Sequence, residues 1–169
     1  MSLPTCDGPL RGQLVTTNFS KAKLPEIQRA CSKLPFVLCG PPGCGKKSAL
    51  RLALQDKLTV HDLAAISNGN GTKLDLLQQL LRSNLQQQTI TGEGGLGTSV
   101  LVLYGAEHLT SECVEHLRRL RGELRAVLVA NGRTKELTRF PVVWMKRLNV
   151  GEVCEFLRLR FPDLDGADA

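Results

Sequence analysis

The sequence predicts an α/β fold of three layers, with a parallel sheet of about five strands between helices. Two observations predict it. Short apolar runs, Phe36-Val-Leu-Cys39, Ser99-Val-Leu-Val-Leu103 and Arg125-Ala-Val-Leu-Val-Ala130, alternate with segments whose leucines recur at helical spacing. The apolar content is also aliphatic: of 169 residues 42% are hydrophobic but only 4% aromatic. That balance suits Leu- and Val-rich strands covered on both faces. The length allows one domain with a sizeable core.

The elements follow in order. Residues 1–20 carry Pro4, Gly8, Pro9 and Gly12 without a clear period and read as an irregular lead-in. A domain core is expected over 21–161. Lys21 to Lys33 predicts a short helix, with Leu24, Ile27 and Ala30 on one face and Pro35 ending it. Phe36 to Cys39 reads as a central strand, Lys46 to Gln55 as a helix, and Leu58 to Leu63 as a second strand. Asn68-Gly-Asn-Gly71 is turn chemistry. Leu74, Leu77, Leu80, Leu81 and Leu85 then predict a helix from about Thr72. Gly92 to Gly97 is a glycine-rich loop before the strand at Ser99 to Leu103. A helix over Ser111 to Leu120 and the strand Arg125 to Ala130 follow. Val142 to Leu148 reads as a last strand, Gly151 to Arg160 as a last helix, and 162–169 as an acidic, flexible tail.

Composition excludes some classes of protein. No apolar run approaches the roughly 18–20 residues that span a bilayer, and Met1 to Gln13 lacks the basic-then-apolar pattern of a signal peptide. No membrane role is expected. The six cysteines, Cys6, Cys31, Cys39, Cys44, Cys113 and Cys154, form no Cys-x-x-Cys pair, and His61, His108 and His116 have no ligand-like spacing. Reduced thiols and no zinc site are therefore expected, in an intracellular, reducing compartment such as the nucleus or cytoplasm. A net charge of +6 permits a polyanionic partner without requiring one.

The most informative motif is Gly40-Pro-Pro-Gly-Cys-Gly-Lys46, which fits seven of the eight places of the phosphate-binding pattern G-x-x-x-x-G-K-[ST]. Glycines turn successive backbone N–H groups inward to make an anion nest. The helix that begins there adds its N-terminal dipole, and Lys46 brings a charge to the β- and γ-phosphates. The eighth place departs from the pattern. Lys47 stands where a Ser or Thr hydroxyl would hold Mg²⁺, and Ser48 comes one residue late, about 100° round the helix. Lys47 either neutralises phosphate charge in place of the metal or is a solvated surface lysine. Cys44, beside a helix N-terminus, is either a low-pKa thiol or a filler.

A second strand should carry the acids of such a site: Asp for the metal's water shell and Glu for the attacking water. Tyr104 and Gly105 occupy those places. Glu107 is the nearest acid and either reaches the site or serves as a surface or capping group.

This order of elements resembles the AAA+ ATPases, in particular their clamp-loader and origin-recognition branch, over roughly residues 22–160. Gly40 to Lys46 looks like the Walker A of that branch. Tyr104-Gly-Ala-Glu-His-Leu109 looks like its Walker B with the first two acids replaced. Ala126-Val-Leu-Val-Ala-Asn131 resembles the sensor 1 strand, with Asn131 at the polar position. Trp144-Met-Lys-Arg-Leu-Asn-Val-Gly-Glu-Val-Cys-Glu-Phe-Leu157 is similar to the last core strand and the start of the lid in clamp-loader large subunits. The resemblance implies ATP or ADP held by Gly40, Pro41, Pro42, Gly43, Cys44, Gly45, Lys46, Lys47 and Ser48, with Asn131 sensing the γ-phosphate. It also implies other AAA+ or replication and repair subunits as partners, and DNA contacted without sequence specificity. Thr138-Arg-Phe140 is only loosely similar to the family's Ser-Arg-Cys arginine finger, and Arg139 also reads as a surface or packing residue.

Three losses point one way. The missing hydroxyl, aspartate and glutamate all serve Mg²⁺ or water, whereas the loop and Lys46 serve the phosphate. The expectation is retained nucleotide binding with weak or absent hydrolysis, in a structural or switching subunit of a DNA-handling assembly. Two other readings stay open: an active small P-loop NTPase or kinase that uses Glu107 or Glu93, and a structural subunit that no longer binds nucleotide. Finally, His116-Leu-Arg-Arg-Leu-Arg121, with Arg125 nearby, is a basic helix that either touches nucleic-acid phosphates or is simply a solvated face.

Overall fold

The computed structural model describes residues 18–55, 57–67, 72–90 and 99–163. The expected turn at 68–71, apart from its surroundings, and the loop Gly92 to Gly97 lie outside the described residues, as do 1–17 of the lead-in and 164–169 of the tail.

Among the described residues five α-helices and five strands follow one another: α1 (Asn18–Cys31), β1 (Phe36–Cys39), α2 (Lys46–Leu54), β2 (Leu58–Asp62), α3 (Leu74–Ile90), β3 (Val100–Tyr104), α4 (Ser111–Arg119), β4 (Ala126–Ala130), β5 (Val142–Trp144) and α5 (Val150–Arg160). All strand pairs are parallel, in the order β2-β3-β4-β1-β5. The α/β fold with a five-stranded parallel sheet is as the sequence predicts.

The alternation of side chains divides the core in two. Val37, Leu101, Leu103 and Leu128 face one side, where they meet Leu77 of α3 and Val114 and Leu117 of α4. Phe36, Leu38, Val102, Val127 and Val129 face the other, against Ile27 of α1 and Ala49 and Leu50 of α2. Both faces of the inner strands are covered, which is why β1, β3 and β4 read as unbroken apolar runs instead of alternating ones.

Two boundaries differ from the sequence reading. Helix α1 starts at Asn18, so Asn18 to Ser20 are helical and not part of a lead-in, and it ends at Cys31, well before Pro35. Its last turn is closed instead by Ser32, whose hydroxyl and N–H both donate to the Arg29 carbonyl, while Leu34, preceding a proline, is disfavoured in helical geometry. The last strand stops at Trp144 and does not continue to Leu148. The reason lies in the pairing. β5 is an edge strand bonded only to β1, whose own last residue, Cys39, lies opposite Trp144. Beyond that point β1 has turned away into the loop at Gly40, and residues 146–148 have no strand to pair with.

Helix α5 begins at a capping box. The Asn149 side chain accepts from the Glu152 N–H at 2.9 Å, and the Glu152 carboxylate accepts from the Asn149 N–H at 2.7 Å. None of its residues is buried. Among the described residues no helix is long and apolar enough to cross a membrane.

This division of the core sets the stability expected of its parts. Leu128→Ala, at a fully buried position on the central strand β4, should cost about 2–5 kcal/mol in urea unfolding. Val150→Ala, at a position 80% exposed on α5, should change it by no more than about 0.5 kcal/mol.

Candidate functional site

A cavity of about 800 Å³ opens at the carboxyl ends of the strands, where ligands sit in open parallel sheets. Residues at or just beyond the ends of all five strands line it: Pro42 to Ser48 after β1, Asp62 of β2, Tyr104 of β3, Asn131 after β4 and Leu148 after β5.

The loop between β1 and α2 is shaped by three glycines, each for its own reason. Gly43 and Gly45 hold left-handed φ angles of 75° and 91°, which other residues adopt only at a cost. Gly40 is needed for space. A Cβ there would lie 2.6 Å from the Met145 carbonyl oxygen and 2.9 Å from the Cys44 sulfur. The backbone is fixed on both sides, with the Gly40 N–H donating to Ala130 O at 3.2 Å and the Met145 N–H to Cys39 O at 2.8 Å. Gly45 then caps α2, whose first turn closes with Ala49 N–H donating to Gly45 O at 2.9 Å.

Lys46 is buried at the start of α2 and folds back over the loop. Its Nζ donates to the carbonyls of Gly40 and Pro41, both at 2.8 Å, and lies 3.8 Å from the Cys44 sulfur. The ammonium is therefore held at the loop's centre by fixed dipoles. Gly40 and Pro41 shape and anchor the loop from beneath, while Pro42, Gly43, Cys44, Gly45, Lys46, Lys47 and Ser48 all border the cavity. Cys44 packs in the α1/α2 side of the core as well. Ser48 borders the cavity despite its place one residue late.

Lys47 is exposed, yet its position is not random. Its Nζ lies 5.3 Å from the centroid of the Tyr104 ring, in the range of a cation–π contact. Burial raises the Tyr104 phenol above its ordinary range, against the opposing charge of Arg51, and the ring stays neutral at physiological pH.

The structure separates Asn131 and Glu107. Asn131 borders the cavity; Glu107 does not. Its carboxylate instead accepts from the Asn131 backbone N–H at 3.3 Å and so steadies the turn that carries Asn131. Arg139 lies in a short 3₁₀ turn, Leu137–Arg139, and pairs with Glu115 at 3.0 Å. Arg118 and Arg119 of the basic helix reach the same carboxylate at 3.5 and 3.7 Å, which tempers the positive charge of that face. Glu93 lies outside the described residues.

Sequence reasoning missed two parts of the cavity. Asp62 ends β2 in register with Tyr104, and its Oδ1 accepts from the Ala64 N–H at 2.9 Å. A Cβ on Gly105 would lie 3.6 Å from that same Oδ1, so an acid from the neighbouring strand stands close to a place the sequence leaves empty. Its position at the end of a parallel strand was the available signal. The second missed part is an apolar wall, Val153, Phe156 and Leu157, spaced to share one face of α5.

The residues do not suit a divalent cation. A lysine and an aromatic ring stand at the two places where oxygen groups for the metal are expected, and a glycine stands where the acid for the attacking water would be. Among the described residues no group of three or more His, Cys, Asp or Glu side chains converges to hold a metal.

No protein-family model matches the sequence, and no curated protein matches it. Solved structures do. The α/β fold of this chain is shared with the two RuvB structures that follow. Two variants of RuvB from Thermotoga maritima superpose with TM-scores of 0.54 and 0.57 at 19% and 21% identity, each covering 86% of this chain. The P-loop NTPase domain of an Escherichia coli sigma-54 transport activator matches at a TM-score of 0.46 and 19% identity, covering 76% of this chain and 93% of its own. The chain spans about half the length of the two RuvB chains, 49% and 51%.

The loop glycines are thereby separable by experiment. Gly43→Ala, strained only by its left-handed backbone, should cost about 1–2 kcal/mol in urea unfolding. Gly40→Ala, which meets backbone at Met145, should cost more than Gly43→Ala in the same measurement.

Proposed function

We propose that this chain is a nucleotide-binding AAA+-like subunit with weak or absent ATP hydrolysis, acting as a structural or switching component of a clamp-loader-like assembly in DNA replication or repair. What supports this reading is a glycine-shaped loop with a buried lysine, beside a strand end that lacks the expected acids. Gly43, Gly45 and the buried Lys46 form an anion nest, while Tyr104 and Gly105 take the places of the catalytic acids.

The shape of the cavity supports a nucleotide over a bare phosphate. About 800 Å³ is within the usual size of a small-molecule site. The cradle forms one wall, and Val153, Phe156 and Leu157 offer an apolar surface suited to a base on another. ATP and ADP both fit this description. Hydrolysis would need a metal and an oriented water, each of which lowers the barrier by several kcal/mol, and the residues that normally supply them are replaced.

Partners enter through the resemblance to clamp loaders, whose subunits work side by side. DNA contact, where it occurs, would be electrostatic and without sequence specificity, through the exposed arginines of α4 and Arg121. One observation favours a second reading, an active NTPase: Asp62 supplies a carboxylate at the cavity.

A thermal-shift series with ATP, ADP and GTP, paired with a phosphate-release assay, tests the proposal. ATP and ADP should raise the Tm of the wild-type chain, and Lys46→Ala should abolish that rise. Phosphate release should stay at background. No stabilisation by any nucleotide would remove the reading. Turnover at about 1 s⁻¹ or above, within the ordinary range for enzymes, would replace it with the active-NTPase one.

A further inference from the structure

We propose that the ammonium of Lys47, held against the ring of Tyr104, takes the place of the divalent cation, so that the site prefers a nucleotide free of metal. This inference rests on the nucleotide-binding reading above and concerns the counter-ion used at that site.

The substitutions are coupled in chemistry and joined in space. A phosphate loop of this type normally offers a hydroxyl just after its lysine and a carboxylate at the end of a second strand, the two groups that hold Mg²⁺. Here the first is a lysine and the second a tyrosine. A cation has replaced a neutral metal ligand, and a neutral ring has replaced an anionic one. The two changes together return to the site, as a fixed side chain, positive charge of the kind the metal would have brought.

The geometry fits this exchange. Lys47 and Tyr104 both border the cavity next to Gly43, Gly45 and Lys46. The Lys47 Nζ sits 5.3 Å from the ring centroid, where the negative face of the π system attracts it. An unrestrained lysine on an exposed helix turn samples many rotamers; the ring narrows that choice on the cavity side. Lys46 is already committed to two loop carbonyls at 2.8 Å, so a second, separately held ammonium has a distinct task on the phosphate chain. Tyr104 acts here as a positioning residue through its ring face, and its hydroxyl has no part in the argument.

Asp62 is the one acid among the described residues lining this cavity. Its Oδ1 is engaged by the Ala64 N–H. A single carboxylate with no second acid among the described lining residues is a poor divalent site, whereas it leaves the ammonium of Lys47 compatible with the cavity.

Calorimetric titration of the full chain with ATP, in EDTA and separately in excess Mg²⁺, is the test. The wild type should bind ATP in EDTA at least as tightly as in Mg²⁺. In EDTA, Lys47→Thr should weaken binding about tenfold and Tyr104→Leu about three- to fivefold, while Tyr104→Phe, which keeps the ring face, should match the wild type. Far-UV circular dichroism confirms that each variant is folded, and Tyr104→Phe keeps the test decisive if Tyr104→Leu is not. Binding that is tenfold or more tighter in Mg²⁺, or that needs Mg²⁺ and is lost in Asp62→Asn, overturns the inference while leaving nucleotide binding in place. Unchanged EDTA affinity in Lys47→Thr also overturns it. Absence of ATP binding in both buffers removes the nucleotide-binding reading, and the inference with it.

Discussion

The close approach of Gly40 to the end of β5 is the constraint on which the site depends. β1 lies between β4 and β5, and where it ends its backbone is tied to both: Gly40 N–H to Ala130 O, and Met145 N–H to Cys39 O. There is no room for a side chain at that junction. The chain must leave the sheet there, and the left-handed residues Gly43 and Gly45 carry it round into α2. From that turn follow the placement of Lys46 over the loop carbonyls and the direction of the α2 dipole. The cavity therefore opens at the carboxyl end of the sheet, above strands whose ends are brought level by parallel pairing.

The same junction explains which parts of the molecule were legible in the sequence. β1, β3 and β4 are buried on both faces, so their residues carry an uninterrupted apolar signal. The turn from β1 into α2 was legible because its glycines answer to backbone geometry, which leaves little latitude in residue type. β5 was misjudged because Val142 to Leu148 has the composition of a strand but a partner for only its first three residues. The start of α1 was misjudged because Pro4 to Gly12 colour the whole N-terminal stretch, while Asn18 to Ser20 carry no strong signal of their own. Asp62 was overlooked for a different reason. Its place at the end of a strand was readable, but its nearness to Tyr104 comes from the register of β2 with β3, a property of pairing that no local pattern encodes.

Electrostatics separates the two basic regions of the chain. Around Glu115, three arginines share one exposed carboxylate; such surface pairs are worth little individually and are screened by salt. At the loop between β1 and α2, by contrast, Lys46 is buried and its ammonium is held by two fixed carbonyls, where partial exclusion of water strengthens each interaction. Glu107 belongs to neither centre. By accepting the Asn131 N–H it supports the turn after β4. On the function proposed above, the site is organised for holding an anion, with the groups that would drive its cleavage replaced or turned to structural use.

The most direct measurement of that claim is a backbone amide NMR titration of the isotopically labelled chain with ATP. If the loop is a phosphate cradle, the amide resonances of Gly43, Cys44, Gly45 and Lys46 move together and saturably, accompanied by those of Val153 and Phe156 on the opposing wall. If saturating ATP leaves these six resonances in place, or moves only the arginine-rich end of α4, the nucleotide does not bind in this cavity and the proposed role of the loop is contradicted.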